Sequence, residues 1–337
     1  MRLFSSVGIL IPVVRYIRVS RWVRPYLRDL YYRRLDIGPE PYRPRSIWPT
    51  WNFDAELSAF CHRINEQIPP SKLTLALTDK SYVASIKSSS PEDGNHASNV
   101  EYADAGRNVA TSFILAFLRN VFPLVPEEWI VKIGQHLLSP AQLAFTSGCL
   151  GLKDLVSYTD TPLSPGQITT PPSTEVMSNV ILAIIGVLAE QNYERALLFV
   201  RDFLITPLVD LDLTGELIVI EKPMQLLKGI LAANDRDPPE SRLQNQAGMK
   251  TLTACYQVGI YSSRELLGEA PGETLEIAEQ EAARQAVRNL VGLSEHRPPL
   301  PLSGPLQTLD LSEATKRNVS LNTYLQLADE NHKRATC

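Results

Sequence analysis

The stretch that most restricts what this chain can become is 174–191, Thr-Glu-Val-Met-Ser-Asn-Val-Ile-Leu-Ala-Ile-Ile-Gly-Val-Leu-Ala-Glu-Gln. It reads as a helix that is apolar almost all round, and such a helix must be enclosed by others. Ala183 and Gly186 lie one turn apart inside it. Glycine in a helix interior costs about 1 kcal/mol relative to alanine, so small residues there point to a neighbouring helix at close approach. Gly106 plays a similar part in a second helical segment, near 104–119. The expectation is a helical domain with a buried central helix.

The surrounding periodicity agrees. Leu57, Phe60, Cys61, Ile64 and Ile68 recur at three and four, one apolar face. Pro69-Pro70 ends that face, and Ser71 is placed to cap a short helix through Leu77. Ser88 to Asn95 reads as a polar loop, and further helices are expected near 127–138, 140–149 and 193–205. No sheet is expected over 54–206, which reads as one all-helical domain. The pattern then changes. Pro223 opens a short helix, three strands follow near 241–246, 253–261 and 265–270, and an alanine-rich helix runs from Thr274 to Leu290. That order, helix, three strands, helix, defines a small second domain over 222–293. Residues 294–337 hold four early prolines and little periodicity, and are expected to form a flexible arm.

The amino terminus is of another kind. Residues 1–35 hold eight arginines against Asp29 alone, a net +7. An arginine-rich, acid-poor, amphipathic start has the composition of a mitochondrial transit segment. It is expected over 1–30 with cleavage before Tyr31; a basic surface helix is the alternative. Since the whole chain is −4, the remainder carries −11. An acidic body is a poor general binder of nucleic acid, whose non-specific affinity comes from phosphate neutralisation. RNA contact must therefore be local. Residues 31–53 form a basic strap rich in proline and aromatics, with Arg43, Arg45 and Trp48 suited to phosphate and exposed bases; a linker packed on its own domain fits equally. Cys61, Cys149, Cys255 and Cys337 form no Cys-x-x-Cys pair, and the five histidines have no ligand spacing. No metal or cofactor is expected, and no run is read as long and apolar enough to span a bilayer.

Pro239-Glu-Ser-Arg-Leu243, Tyr256-Gln-Val258, Gly268, Gly272 and the Ala278-Glu279, Ala282-Ala283 pairs resemble a double-stranded RNA-binding domain. The helical domain before it is similar to a ribonuclease III domain. That family's first motif is Glu-x-Leu-Glu-Phe-Leu-Gly-Asp, and its second is Asp-x-x-Glu-Ala-x-x-Gly. Aligned on Gly106, Ala103 and Arg107 stand at the first motif's metal-binding Glu and Asp. Aligned on Ala183 and Gly186, Asn179 and Leu182 stand at the second motif's Asp and Glu. The resemblance thus implies a nuclease fold with all four metal-binding carboxylates replaced. Magnesium requires oxygen ligands, which alanine and leucine lack. Glu101, Asp104 and Glu175 are nearby, but one carboxylate on the right face does not make a metal site; they read as charges favoured by helix amino termini.

The RNA-binding module resembles its family less well. The paired lysines that open the family's last helix are replaced by Leu275-Glu276. Its Gly-Pro-x-His loop falls near Gly248–Leu252 without Pro or His, and Gly229 stands where the first helix often offers a Glu to the minor groove. Lys222, Lys228, Arg242 and Lys250 remain as candidates for local RNA contact. Trp48-Pro-x-Trp51, Ala59-Phe60-x-His62-Arg63, Arg201-Asp-Phe-Leu-Ile-Thr206 and Pro271-Gly-Glu-Thr274 further resemble a ribonuclease III-type family of mitochondrial large-subunit ribosomal proteins. The resemblance implies a structural component of the mitochondrial ribosome, held by large-subunit ribosomal RNA and other mitoribosomal proteins in the matrix. Two alternatives stand beside it: a mitochondrial endonuclease acting on double-stranded RNA, and a catalytically inactive RNA-binding adaptor paired with an active ribonuclease III relative.

Overall fold

The computed structural model describes residues 23–38, 45–89, 98–159, 171–248, 251, 254–294, 299–304 and 316–336. The chain divides into two units, Met1–Pro44 with Thr161–Thr170, and Arg45–Asp160 with Pro171–Cys337. In the first, α1 (Val23–Ile37) is a helix with no buried residue. It runs through residue 30, where a transit segment was expected to give way to an extended strap. The reason is local: Pro25 sits in the first turn, where proline is tolerated, and no other breaker follows before Gly38. Gly38, at φ +85, ends the helix as its N–H reaches back to Arg34 O.

In the second unit, α8 (Thr174–Gln191) is the axis of the helical domain. Met177, Ser178 and every residue from Val180 to Leu188 are buried. The Ser173 hydroxyl accepts from Val176 N–H at its start. Asn192 ends it and caps α9 (Tyr193–Phe199), its side chain accepting from Glu194 and Arg195 N–H at 3.0 and 3.3 Å. By length and composition α8 could cross a membrane, contrary to the expectation that no run could. Its burial against α3 (Pro70–Ala76), α5 (Val100–Val121), α7 (Pro140–Cys149) and α9 makes it a core helix instead. The domain is completed by α2 (Phe53–Ile64), α4 (Lys80–Ser89) and α6 (Glu127–Leu137).

Two local readings are corrected. The short helix α3 starts at Pro70 after Pro69, with no side-chain cap, so Ser71 does not cap it. Helix α4 was not expected, and Val83 is the one buried hydrophobe among its described side chains, too few for a periodic signal. Asp79 fixes its start, accepting from Ser81 N–H at 2.9 Å and Ser81 Oγ at 2.6 Å.

After α9 the chain tightens and loosens by turns, through a π-helical stretch Val200–Ile205 and a 3-10 turn Thr206–Val209. The second module then has α10 (Pro223–Ala233), β1 (Glu240–Ala247), β2 (Cys255–Ser262), β3 (Glu265–Gly272) and α11 (Leu275–Val291). The strands are antiparallel in the order β1-β2-β3. Thr274 caps α11 by accepting from Ile277 N–H. Gly268 and Gly272 of β3 lie against the backbone of Ala286 and Ala278, so the alanines let α11 sit close on the sheet.

The flexible arm expected over 294–337 does not hold at its end. Asn318 and Val319 bond to the turn between α5 and α6 and to the first residue of α6, and α12 (Leu321–Thr336) packs on α10 with Tyr324 and Ala328 buried. The partners that hold residues 316–324 on the α6 side are about 200 residues away in sequence, beyond the reach of local pattern.

Candidate functional site

Helices α5 and α8 cross in backbone contact. A Cβ on Gly106 would overlap the Leu182 carbonyl and stand 2.8 Å from Gly186 N; one on Gly186 would overlap the Tyr102 carbonyl. Residue 106 thus faces 182 and residue 102 faces 186, so the helices run antiparallel. The turn carrying Ala103 and Arg107 is thereby brought against the turn carrying Leu182, with Asn179 one turn before it. Ala103 is 5 % exposed and Leu182 fully buried, both inside the apolar core. Asn179 is half-buried and Arg107 exposed.

This donor set does not fit a hard divalent cation. A methyl and an isobutyl group offer no ligand, and a guanidinium repels the ion. Glu101, Asp104 and Glu175 are all exposed. Among the described residues, no three His, Cys, Asp or Glu side chains cluster as a metal site.

The candidate RNA contacts are scattered. Arg45 is already engaged: its backbone N–H donates to Asp154 Oδ1, its guanidinium meets Glu56 Oε1 at 2.7 Å and lies 5.5 Å from the Trp51 ring. Trp48 is 64 % exposed. Arg242 pairs with Glu240 at 2.7 Å and stacks 5.2 Å from Tyr261. Such exposed pairs contribute about 0–1 kcal/mol, so either arginine can exchange its carboxylate for a phosphate. Lys222, at the start of α10, and Lys228 within it are exposed. Arg43 and Lys250 lie outside the described residues. The helical domain also carries an open groove of about 1100 Å³, lined among others by Cys61 and His62 of α2 and by the Glu66–Arg195 pair.

A second constellation has no counterpart among the expected residues. Asn318 donates from its side-chain amide to Phe122 O and Val125 O at 2.8 and 2.9 Å, and from its backbone to Glu127 Oε2 at 3.0 Å. Glu127 N–H returns a bond to Val319 O, Leu321 N–H donates to Glu128 Oε2, and Tyr324 Oη donates to Leu124 O. Arg119 closes the cluster on Glu127 at 2.5 Å, both side chains largely buried. Burial opposes ionisation of Glu127, but the Arg119 and Asn318 hydrogen bonds and the charges of Arg119 and Arg317 together hold its carboxyl below the ordinary value. Burial pushes the Tyr324 hydroxyl up. Tyr324 then seats on α10 at Gly229, where a Cβ would overlap its carbonyl oxygen. The available signal was Gly229 itself: a glycine inside a helix marks close approach.

Two family models match the chain. One, described as "Large ribosomal subunit protein mL44, endonuclease domain", covers residues 52–188; the other, "MRPL44 dsRNA-binding domain", covers 218–325. A Caenorhabditis elegans protein named "Large ribosomal subunit protein mL44" is 30% identical over 288 residues, 82% of this chain and 70% of that one. A Neurospora crassa protein of the same name is 29% identical over 109 residues, 32% of this chain and 24% of that one. Among solved structures, the nuclease domain of ribonuclease III from Campylobacter jejuni is similar at a TM-score of 0.36 and 16% identity, covering 45% of this chain and 95% of that one. Dicer from Pichia stipitis is similar at 0.33 and 16%, covering 66% and 95%.

Proposed function

The chain belongs to the family of large ribosomal subunit protein mL44, and from that premise we propose that it is a structural constituent of the mitochondrial large ribosomal subunit, working in the matrix. The observation that carries this reading is the pairing, in order along one chain, of both modules of that family. The helical body supplies a rigid surface. The second module, with Lys222, Lys228, Arg242 and Lys250, supplies local RNA contacts, and Arg43, Arg45 and Trp48 of the strap add theirs. Residues 1–30 serve as a mitochondrial address, and the helical surface pairs with neighbouring ribosomal proteins or with another ribonuclease III-like chain.

The α5–α8 crossing supports a non-catalytic role. Ala103, Arg107, Asn179 and Leu182 occupy the positions at which an active relative would hold its cation, and none of them is a carboxylate. An apolar pair in the core and a cation at the rim leave no means of activating a water for phosphodiester attack.

The test is a sucrose gradient of the tagged chain. It should co-sediment with large ribosomal subunits and remain there at roughly 0.5 M salt, because an assembled constituent is held by many contacts rather than by phosphate charge alone. A chain found free, or in a small particle, would overturn the reading. The matching family model's description as an endonuclease domain favours a second reading, cleavage of duplex RNA. Incubation of purified protein with duplex RNA and Mg²⁺ or Mn²⁺ decides between them: the structural reading requires intact RNA.

A further inference from the structure

We propose that residues 316–328 act as a built-in strap that closes the Gly229 face of α10 to duplex RNA. The proposal rests on reading the second module as an RNA-binding one, and adds which of its faces its own chain withholds.

At about 100° per residue, Gly229 falls between Gln225 and Ala233 around the axis of α10, and Lys222 is the residue that precedes its first turn. Lys222 and Gln225 are exposed. Gly229 lies on the Gln225 stripe yet is buried, because the Tyr324 backbone stands on it, with Tyr324 Cα 3.1 Å from the position a Cβ would take. Packed helices lie about 8–10 Å apart, so α12 rises as a wall across the Gly229 face, about 100° around the axis from Lys228. The minor groove of an A-form duplex is wide and shallow; a helix face can read it only by lying flat on it. Short contacts to Lys222 and Lys228 stay open, whereas full seating of a duplex requires α12 to leave.

The strap is held from both ends of its path. Asn318 makes three bonds to the 122–127 segment and Leu321 one to Glu128. Ser320 caps α12, accepting from Thr323 N–H. Tyr324, 2 % exposed, then plugs the contact with α10. The matched RNA-binding family model ends at residue 325, so it takes in the strap only as far as the first turn of α12.

The test uses the full chain, a fluorescently labelled duplex RNA of about 20 base pairs, which spans the reach of one such module, and hydrogen exchange of residues 321–330. Gly229→Ala should leave α10 helical, since alanine is the better helix former, but its Cβ would evict Tyr324. The expected result is loss of exchange protection over α12 together with at least tenfold tighter duplex binding at the same salt. Asn318→Ala, which frees the strap without touching α10, should move both readouts the same way by less. If Gly229→Ala disturbs the whole fold, Asn318→Ala decides on the same criteria. Release of α12 without a gain in affinity overturns the proposal. So does full protection of α12 in both variants, or a wild-type chain that already binds the duplex as tightly as the released one. Co-sedimentation with ribosomal subunits is read on the same variants, so loss of the strap hypothesis and loss of the ribosomal role give different patterns.

Discussion

The backbone of Leu182 occupies the space that a side chain on Gly106 would need, and Gly186 stands in the same relation to Tyr102. Helices α5 and α8 therefore meet with no side chain between them at the crossing. In an exposed helix, glycine to alanine stabilises by about 1 kcal/mol. Here the sign should reverse: Gly106→Ala or Gly186→Ala is expected to cost about 1–3 kcal/mol, as overpacking of a filled core does. Urea unfolding of each variant measures it, and a stabilised variant would mean the helices do not touch there.

The same crossing makes a prediction about the four positions read as replaced carboxylates. In the fourfold variant Ala103→Glu, Arg107→Asp, Asn179→Asp, Leu182→Glu, the carboxylate introduced at position 182 would be buried without a partner. Without metal the variant should lose more than about 3 kcal/mol. Mn²⁺ at about a hundred times its dissociation constant should return about 2.7 kcal/mol and raise Tm, while leaving the wild-type Tm unchanged. A variant indifferent to metal would show that the four positions do not form one site.

Glu127 gives the strap a pH dependence. Burial works against its ionisation, yet Arg119, Asn318 and Arg317 hold its folded pKa below the ordinary glutamate value. A depressed carboxylate contributes stability that is complete above its unfolded value and is lost as pH falls through the folded one. Glu128, whose carboxylate receives Leu321 N–H, is the other acid of the cluster. Proteolysis at Lys316 and Arg317 should be slow at neutral pH and accelerate below the unfolded glutamate pKa of about 4.3. Glu127→Gln should be cut faster at neutral pH and change less on acidification.

Arg201 is 6 % exposed and donates to Asp202 Oδ1 at 2.7 Å and to Gly304 O at 2.6 Å. It ties the 299–304 segment, with Leu300 and Leu302 packed on the core, to the π-helical stretch. Arg201→Met keeps the stem and removes the donors. Because Gly304 is exposed and water can take up its carbonyl, losing the bond should cost about 0.5–1.5 kcal/mol, measured as a lower midpoint in urea, with faster amide exchange at 302–304.

The elements were legible wherever a local period carried them. The strands expected near 241–246, 253–261 and 265–270 are found at Glu240–Ala247, Cys255–Ser262 and Glu265–Gly272. The apolar run around Ala183 and Gly186 announced a buried helix, and it is one. Helix α4 was not legible, having a single buried hydrophobe among its described side chains; nor was the helicity of residues 31–37, where arginines and tyrosines give no apolar face.

Residue order alone was enough for the helices, the strands and the small residues that let α5 and α8 approach, because each depends on side chains within a turn or a pleat of one another; that these two helices meet was implied by the family resemblance. It was silent on which helix faces stay open. Gly229 reads in the sequence as a missing glutamate, whereas in the fold Tyr324 stands on it. Nothing in the sequence singles out Glu127, whereas in the fold Asn318 reaches it from 191 residues away. Those contacts have no period to betray them. They exist because the folded body offers Phe122 and Val125 carbonyls and the Glu127 carboxylate at a spacing that one distant segment matches, and packing of the whole chain is what brings that segment there.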